Sequence, residues 1–403
     1  MYVRYRFRNF CMFIFCFWYS TEIIFNTTLK AIAGAPIEII SNIVSWLIFV
    51  THMIQIVFFQ SYKKKELVII VLVTLPIICT TVLSGNRFLL SAWMFIVAAK
   101  NIDLDKLIYS AYKILRFMIP MVALLCLLGV IEDNNRYIRW GWQRSSLGFA
   151  HPNGLALRLF QLTICYCYIH KKKLGKSSYL FILVAVALTV AIPKSQTTYI
   201  CLSVFLILVL VYKLIQNKKR LMHIFMNSLL AGAFLIGFLS IALSFINVKH
   251  YWILSQVDKW MSERFSYAHI ARSIYGISFL GQRVYISEAE REMVGIKQLL
   301  YLDNAYASIL IRYGVLIFLM FSFFYLLLMR KMAKQKDGIL VIILFLYALY
   351  GVMENGLYQM THNIFLIAFA NLLYDKTSGK GEKENGEHAM KQMAETHMLA
   401  ESR

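Results

Sequence analysis

The stretch "KKKELVIIVLVTLPIICTTVL", residues 63–83, decides the fold. Three lysines stand before residues 67–83, a run without a single charge. About 20 apolar residues span a bilayer as a helix. In lipid the backbone must satisfy its own hydrogen bonds, and a helix does so. The lysines stop the preceding span and mark a cytoplasmic turn, because basic residues collect on that side.

The same alternation continues in both directions. The run patterns predict spans over residues 10–29, 36–59, 67–83, 87–99, 107–131, 153–169, 178–193, 197–215, 222–246, 303–329, 339–353 and 357–374. That is about twelve spans, those at 87–99 and 178–193 being short. With the N-terminus inside, the basic groups at 63–65, 171–173, 218–220 and 330–336 all fall inside. The turns near Lys30, Arg87 and Lys194 then fall outside with one basic residue each. Arg4, Arg6 and Arg8 before the first run mimic a signal peptide. Glu22 interrupts the run, so it reads as a retained span.

The expected fold is an all-α polytopic membrane domain over residues 1–374. Outer loops lie at 132–150 and 247–302, the second carrying short helices. A polar cytoplasmic tail, too poor in apolar surface to fold alone, covers 375–403. Composition agrees. Of 403 residues, 59% are hydrophobic and 16% charged, and mean hydropathy is +0.61. The net charge of +21 follows from the short basic loops between spans, as the positive-inside rule requires, so no nucleic acid is expected. Seven cysteines all fall in apolar runs, with no metal or disulfide spacing. No GxxxxGK[ST] phosphate loop occurs.

With this topology the chemistry gathers outside. In "IEDNNRYIRWGWQRSSLGFAHPNG", Arg136, Arg139 and Arg144 alternate with Tyr137, Trp140 and Trp142. That pattern suits an interfacial belt or a site for a phosphorylated, sugar-bearing substrate, since arginine offers a fork of donors to phosphate. Pro152 suits the first turn of a helix, with His151 as its cap. His151 can also exchange a proton near neutral pH, and the helix start favours anions. In the long loop, Trp252, Val257 and Trp260 suggest an amphipathic helix lying on the membrane. Ser287 and Glu290 form a capping box before an apolar stripe of Met293, Val294, Ile296, Leu299 and Leu300. Arg264, Arg272 and Arg283 are its cationic candidates. Asp303, Asn304 and Tyr306 open the span that follows, Asp303 as cap or as a site residue. Arg312 lies about two turns inside, where an ionisable residue is costly and faces a polar interior. Glu354 and Asn355 end the next span, with Tyr358 and His362 beyond.

Four pieces in this order, "RSSLGFAHPNG", "PKSQTTYICL", "SERFSYAHIARSIYGISFLGQ" and "DNAYASILIRYGVL", resemble the O-antigen polymerase and ligase family of bacterial envelope glycosyltransferases, its capsular and exopolysaccharide repeat-unit polymerases above all. They cover about residues 144–314. The resemblance implies an integral-membrane glycosyltransferase fold in the bacterial cytoplasmic membrane, both termini cytoplasmic. It implies undecaprenyl-diphosphate-linked oligosaccharide as substrate, membrane lipids, flippase and chain-length regulator proteins as partners, and neither metal nor cofactor. Carried over by residue, it matches Arg264 to the family's loop arginine, His151 and Asn153 to its His-Pro-Asn element, and Asp303, Asn304 and Tyr306 to the start of its late span. With the residues read above, the catalytic candidates are Arg264, His151 and Asp303, and the substrate-binding candidates Arg144, Asn153, Arg283, Asn304, Tyr306, Arg312 and Glu354. Gln196 departs from the family, which often has arginine there, and leaves that work to Lys194 or another cation.

The expected reaction transfers a lipid-linked glycan to the hydroxyl of another lipid-linked repeat at the outer face. Arg264, with Arg144 or Arg283, would clamp the departing diphosphate, and His151 or Asp303 would take the proton. A polysaccharide ligase differs only in acceptor. A lipid-linked oligosaccharide flippase would carry its cations along a central cavity rather than at a rim. A non-catalytic assembly subunit would need none of these polar segments.

Overall fold

The computed structural model describes residues 2–29, 34–100, 102–135, 138–139, 141–286, 288–296 and 300–374. The first half of the chain forms α1 (Tyr2–Phe25), α2 (Ala35–Ile54, continued by a π turn at Gln55–Phe59), α3 (Lys64–Ser84), α4 (Phe88–Ala98) and α5 (Leu104–Leu127). A short hairpin, β1 (Ile138–Arg139) and β2 (Trp142–Gln143), interrupts the helices. Then come α6 (Pro152–Ile169), α7 (Lys176–Ala191), α8 (Gln196–Ile215) and α9 (Lys219–Phe245). The long loop holds α10 (Trp252–Trp260), α11 (Arg264–Tyr275) and the single turn-and-a-half α12 (Glu288–Met293). The chain closes with α13 (Ala305–Ser308), a π turn (Ile309–Tyr313), α14 (Gly314–Lys334), α15 (Gly338–Met353), a 3₁₀ segment (Ile364–Phe369) and α16 (Ala370–Leu373).

The chain has the character of a multi-pass helical membrane protein. Among the described residues, six helical stretches are long and apolar enough to cross a bilayer, Lys64–Ser84 being one of them. The expected count of about twelve is not reached on length. Phe88–Ala98, Lys176–Ala191 and Gly338–Met353 are apolar but short. The stretch expected as a last span, 357–374, is not one helix. Turns run to Asn363, followed by the 3₁₀ segment and a four-residue helix. It is nonetheless buried: Leu357, Tyr358, Ile364, Phe365 and Leu366 all lie in the core. Hydropathy sees burial, and irregular backbone packed inside protein is as apolar as a span.

α15 is the centre. It is apolar on every side, as a helix surrounded by others must be, and almost every residue from Gly338 to Met353 is buried. α8, α9, α14 and α6 pack around it. On the periphery α3, α5 and α9 keep large apolar side chains exposed, Leu72, Phe117 and Phe238 among them, the pattern of a surface that meets lipid.

Polar contacts sort to two ends. At one, Lys171 bonds Asp337 at 2.8 Å, and Lys100 pairs with Glu66. At the other, Asp133 gathers the loop after α5. Its carboxylate accepts from Ser145 Oγ at 2.6 Å, Ser146 N at 2.8 Å and Leu147 N at 3.0 Å. Thr28 Oγ1 donates to the Glu132 carbonyl at 2.7 Å and ties the end of α1 to that loop.

The span expected over 303–329 is broken. A π turn leads to Gly314 at φ +88°, and the loop at 278–282 enters the break. Val315 N donates to Ser278 O at 3.0 Å, Leu316 N to Phe279 O at 3.1 Å and Gln282 N to Arg312 O at 2.9 Å. Thr80 Oγ1 on α3 donates to Tyr313 O at 2.9 Å. The inserted strand thus restores the hydrogen bonds that the break releases, which is how non-helical backbone survives inside a membrane bundle.

Candidate functional site

His151 caps α6. Its Nδ1 accepts the Asn153 N–H at 2.9 Å, and Pro152 occupies the first turn, where its missing N–H costs nothing. An accepting Nδ1 carries no proton, so the neutral ring is protonated at Nε2. Asn153, one position inside α6, turns its side chain into a chain of polar contacts. Its Oδ1 accepts from Arg144 Nη2, and its Nδ2 donates to Glu354 Oε1 at 2.7 Å. Glu354 Oε1 lies 3.9 Å from Arg264 Nη2, and Arg264 Nη1 pairs with Asp303. One connected line therefore runs Arg144, Asn153, Glu354, Arg264, Asp303. It joins the loop after α5, the start of α6, the end of α15, the start of α11 and the segment before α13.

Arg144 is buried and also donates from Nε to Pro193 O at 2.7 Å, at the approach to α8. Two helix starts, α6 and α8, thus meet at one guanidinium, and helix starts attract anions. At the first position of α8, Gln196 is 1% exposed, and both side-chain amide atoms lack a partner. A buried polar group costs free energy until something bonds it. Lys194 turns aside: its Nζ donates to Gln143 O at 2.7 Å and lies over the Trp142 ring. The cation that reaches the approach to α8 is Arg144, through the Pro193 carbonyl. Arg136, Tyr137 and Trp140 lie outside the described residues, as does Ser287 of the expected capping box and the tail 375–403.

Asn304, not Asp303, caps α13. Its Oδ1 accepts from Ala307 N at 3.1 Å, and its Nδ2 donates to Ser240 Oγ at 2.7 Å. Asp303 is left to face Arg264. Tyr306 is buried, with its hydroxyl on Ala348 O at 2.8 Å and its ring against Gly237. Both residues anchor the segment that presents Asp303. Asn304→Ala is expected to cost about 2 kcal/mol of stability, a lost cap plus an unpaired buried hydroxyl. Thermal unfolding of the purified protein in detergent measures it.

Arg312 and Arg283 sit apart from that line, at the broken span. Arg312 is 8% exposed, and no ion pair or hydrogen bond engages its guanidinium among the described residues. Arg283 is exposed beside Gly85, where α3 turns into α4. The inserted loop joins them, since Gln282 bonds the Arg312 carbonyl. Asn304 and Arg312 are eight positions apart along the α13 and π segment, about 12 Å at helical rise. The two cationic places therefore flank one short element. Below the second, a cavity of about 210 Å³ opens between α3, α4 and α14, lined by Ile77, Trp93, Ile317, Phe324 and Tyr358.

Of the apolar stripe expected behind the capping box, Met293 ends α12 and is 85% exposed, Val294 is exposed and Leu300 is buried, while Leu299 lies outside the described residues. α10 does form, with Trp252, Ile253, Val257 and Trp260 exposed. Arg272 donates to Ser244 O at 3.3 Å and covers the Phe245 ring, a structural place rather than a site. Burial raises the Tyr275 phenol above its ordinary value, so it keeps its proton and donates to Tyr285 O at 3.1 Å.

Sequence reasoning missed Arg158. It is 1% exposed on α6, with Nη1 on Gln161 Oε1 and on Thr361 O, both at 2.8 Å. Tyr19 donates to the same Gln161 oxygen at 3.1 Å. Glu22, a charge without an explanation in the sequence, is partly exposed on α1, one turn past Tyr19. The signal was a charged residue inside an apolar helix, the same signal that picked out Arg312. No metal-binding group of His, Cys, Asp and Glu occurs among the described residues. Compared with known protein families, curated proteins and solved structures, the chain matches none.

Proposed function

We propose that the protein is a polysaccharide polymerase that joins undecaprenyl-diphosphate-linked oligosaccharide repeats at the outer face of the cytoplasmic membrane. The observation that carries the reading is the line Arg144, Asn153, Glu354, Arg264, Asp303. It brings two forked cations and two carboxylates together at one end of an apolar bundle. The resemblance of residues 144–314 to the O-antigen polymerase and ligase family supports the same chemistry.

The reaction needs little covalent help. The acceptor hydroxyl oxygen attacks the anomeric carbon of the donor glycan. The bond from that carbon to the diphosphate oxygen breaks, and the diphosphate leaves with the electron pair. Positioning and charge stabilisation do most of the work. Arg264 is held by Asp303 at rest. An arriving diphosphate competes for that guanidinium, and Asp303, released, accepts the hydroxyl proton. Glu354 keeps Arg264 and Asn153 in register. Arg144, the starts of α6 and α8 and the unpaired Gln196 amide favour the anionic end of the donor. Arg312 and Arg283 suit the diphosphate of the second lipid, with its chain along the apolar cavity beneath.

Deletion of the gene tests the function. A polymerase leaves single lipid-linked repeats on the outer leaflet, and the polysaccharide ladder disappears from the gel. Repeats trapped on the cytoplasmic leaflet point to a flippase. An intact ladder that is no longer attached to its final acceptor points to a ligase. A separate expectation concerns His151. Its Nδ1 is occupied as a cap, so His151→Asn, a good cap without an imidazole, keeps polymer yield within about twofold. A loss of the ladder with His151→Asn at normal expression would return the proton transfer to the histidine.

A further inference from the structure

The end of the bundle opposite the Arg144–Asp303 line holds the second built cavity. It encloses about 470 Å³ where α5 begins and α6 turns into α7. Lys106 and Lys171, Lys172 and Lys173 surround it, with Tyr109, His170 and Asp105. The charges are not equivalent. Asp105 accepts from Tyr168 Oη at 2.8 Å, and Lys171 lies 3.5 Å from it and 2.8 Å from Asp337. Lys171 is shared between the two carboxylates, Asp337 held inside and Asp105 65% exposed at the mouth. Lys106, Lys172 and Lys173 are exposed, and no carboxylate pairs with them among the described residues. Set against Asp105 and Asp337, the four lysines still leave the pocket positive.

A groove leads away from that pocket along the bundle. α6 is recessed between α5 and α7. Between Leu155 and Ile169 only Leu162, Tyr166 and Ile169 are even partly exposed, at helical spacing on one face. Rings line its floor: Tyr166 stacks on Phe181 at 4.3 Å, His170 lies tilted 4.4 Å from it, and Tyr112 lies 6.0 Å away. Exposed Tyr109 and Phe117 on α5 and Leu180 on α7 form the outer edges. A cationic pocket at the head of an apolar groove matches one kind of molecule, an anion with a hydrocarbon chain. A soluble phosphate uses only the pocket, and a neutral lipid only the groove.

We propose that this place binds an anionic glycerophospholipid of the surrounding membrane, its phosphate among Lys106, Lys172 and Lys173 and one acyl chain over Leu162 and Tyr166. Basic pockets between membrane helices hold anionic headgroups by the same physics. The site is remote from the catalytic reading and does not depend on it.

Native mass spectrometry of the full-length protein, equilibrated with phosphatidylglycerol, phosphatidylcholine or inorganic phosphate, tests the assignment. Wild type retains phosphatidylglycerol and sheds phosphatidylcholine, and millimolar inorganic phosphate does not displace the lipid. Combining Lys106→Gln, Lys172→Gln and Lys173→Gln lowers phosphatidylglycerol retention about tenfold or more. These side chains are exposed, and the double Lys172→Gln, Lys173→Gln change lies in a loop, so folding is preserved. Leu162→Trp fills the groove and reduces lipid retention with the lysines intact. Equal retention of both lipids, displacement by inorganic phosphate, or full retention by the lysine variants overturns the proposal.

Discussion

Arg264→Ala is expected to abolish the polysaccharide ladder in cells that lack the wild-type gene, with the variant present at normal level in the membrane. Arg264 is the hub of the polar line, bonded to Asp303 and near Glu354, and its side chain is 14% exposed. Alanine removes the fork that an arriving diphosphate would take. It also takes away the guanidinium that lies 3.9 Å from Glu354 Oε1. Losing one preorganised donor to a leaving group costs about 100-fold in rate. Arg264→Lys is expected to restore little, because a single ammonium cannot bond two carboxylates and a diphosphate in one plane. The readout is a gel of lipid-linked glycans together with an immunoblot for expression. A normal ladder with Arg264→Ala would remove this residue from the site.

Gly314→Ala is expected to prevent stable folding. Gly314 has φ +88° and ψ 172°, a backbone region essentially confined to glycine. An added Cβ would stand 2.5 Å from the Gly281 nitrogen and 2.6 Å from the Phe279 carbonyl oxygen. Those are backbone atoms, so nothing soft can yield. The inserted loop would have to leave, taking with it the bonds from Val315 to Ser278 and from Leu316 to Phe279. Strain and unpaired buried backbone together cost about 4 kcal/mol or more. Gly85→Ala is the control. Its φ is also positive, at +66°, yet the added Cβ meets only the flexible Arg283 side chain at 3.5 Å. It costs about 1 kcal/mol. Size-exclusion profiles and thermal midpoints in detergent separate the two variants. Comparable midpoints would show that the loop does not seat in the break.

Much of the fold was legible. Apolar length and flanking lysines locate α3, α5, α8 and α9 to within a few residues, because a membrane asks a helix for length and apolarity and little else. The last expected span failed for a related reason. Residues 357–369 are apolar because protein surrounds them, and composition does not distinguish a lipid neighbour from a protein one. Among site residues, Arg144, Asn153, Arg264, Asp303 and Glu354 were legible as polar residues at the ends of apolar runs. Their connection was not, since Asn153 and Glu354 are 201 positions apart. The roles of His151 and Asn304 turned on cap geometry. His151 and Asn304 accept backbone N–H groups in the first turns of their helices, and Asp303, the expected cap, does not.

By itself the sequence determined a basic, helix-rich membrane protein with its polar chemistry confined to a few segments, since hydrophobic length is a local property that any window reveals. Tertiary structure alone decided that five of those polar residues form one line, that a loop enters a broken helix at Gly314, and that Arg158 and Tyr19 meet on the Gln161 side chain. These are contacts between segments far apart in the chain. Their energies come from direction and distance between particular atoms, and no count of residue types contains either.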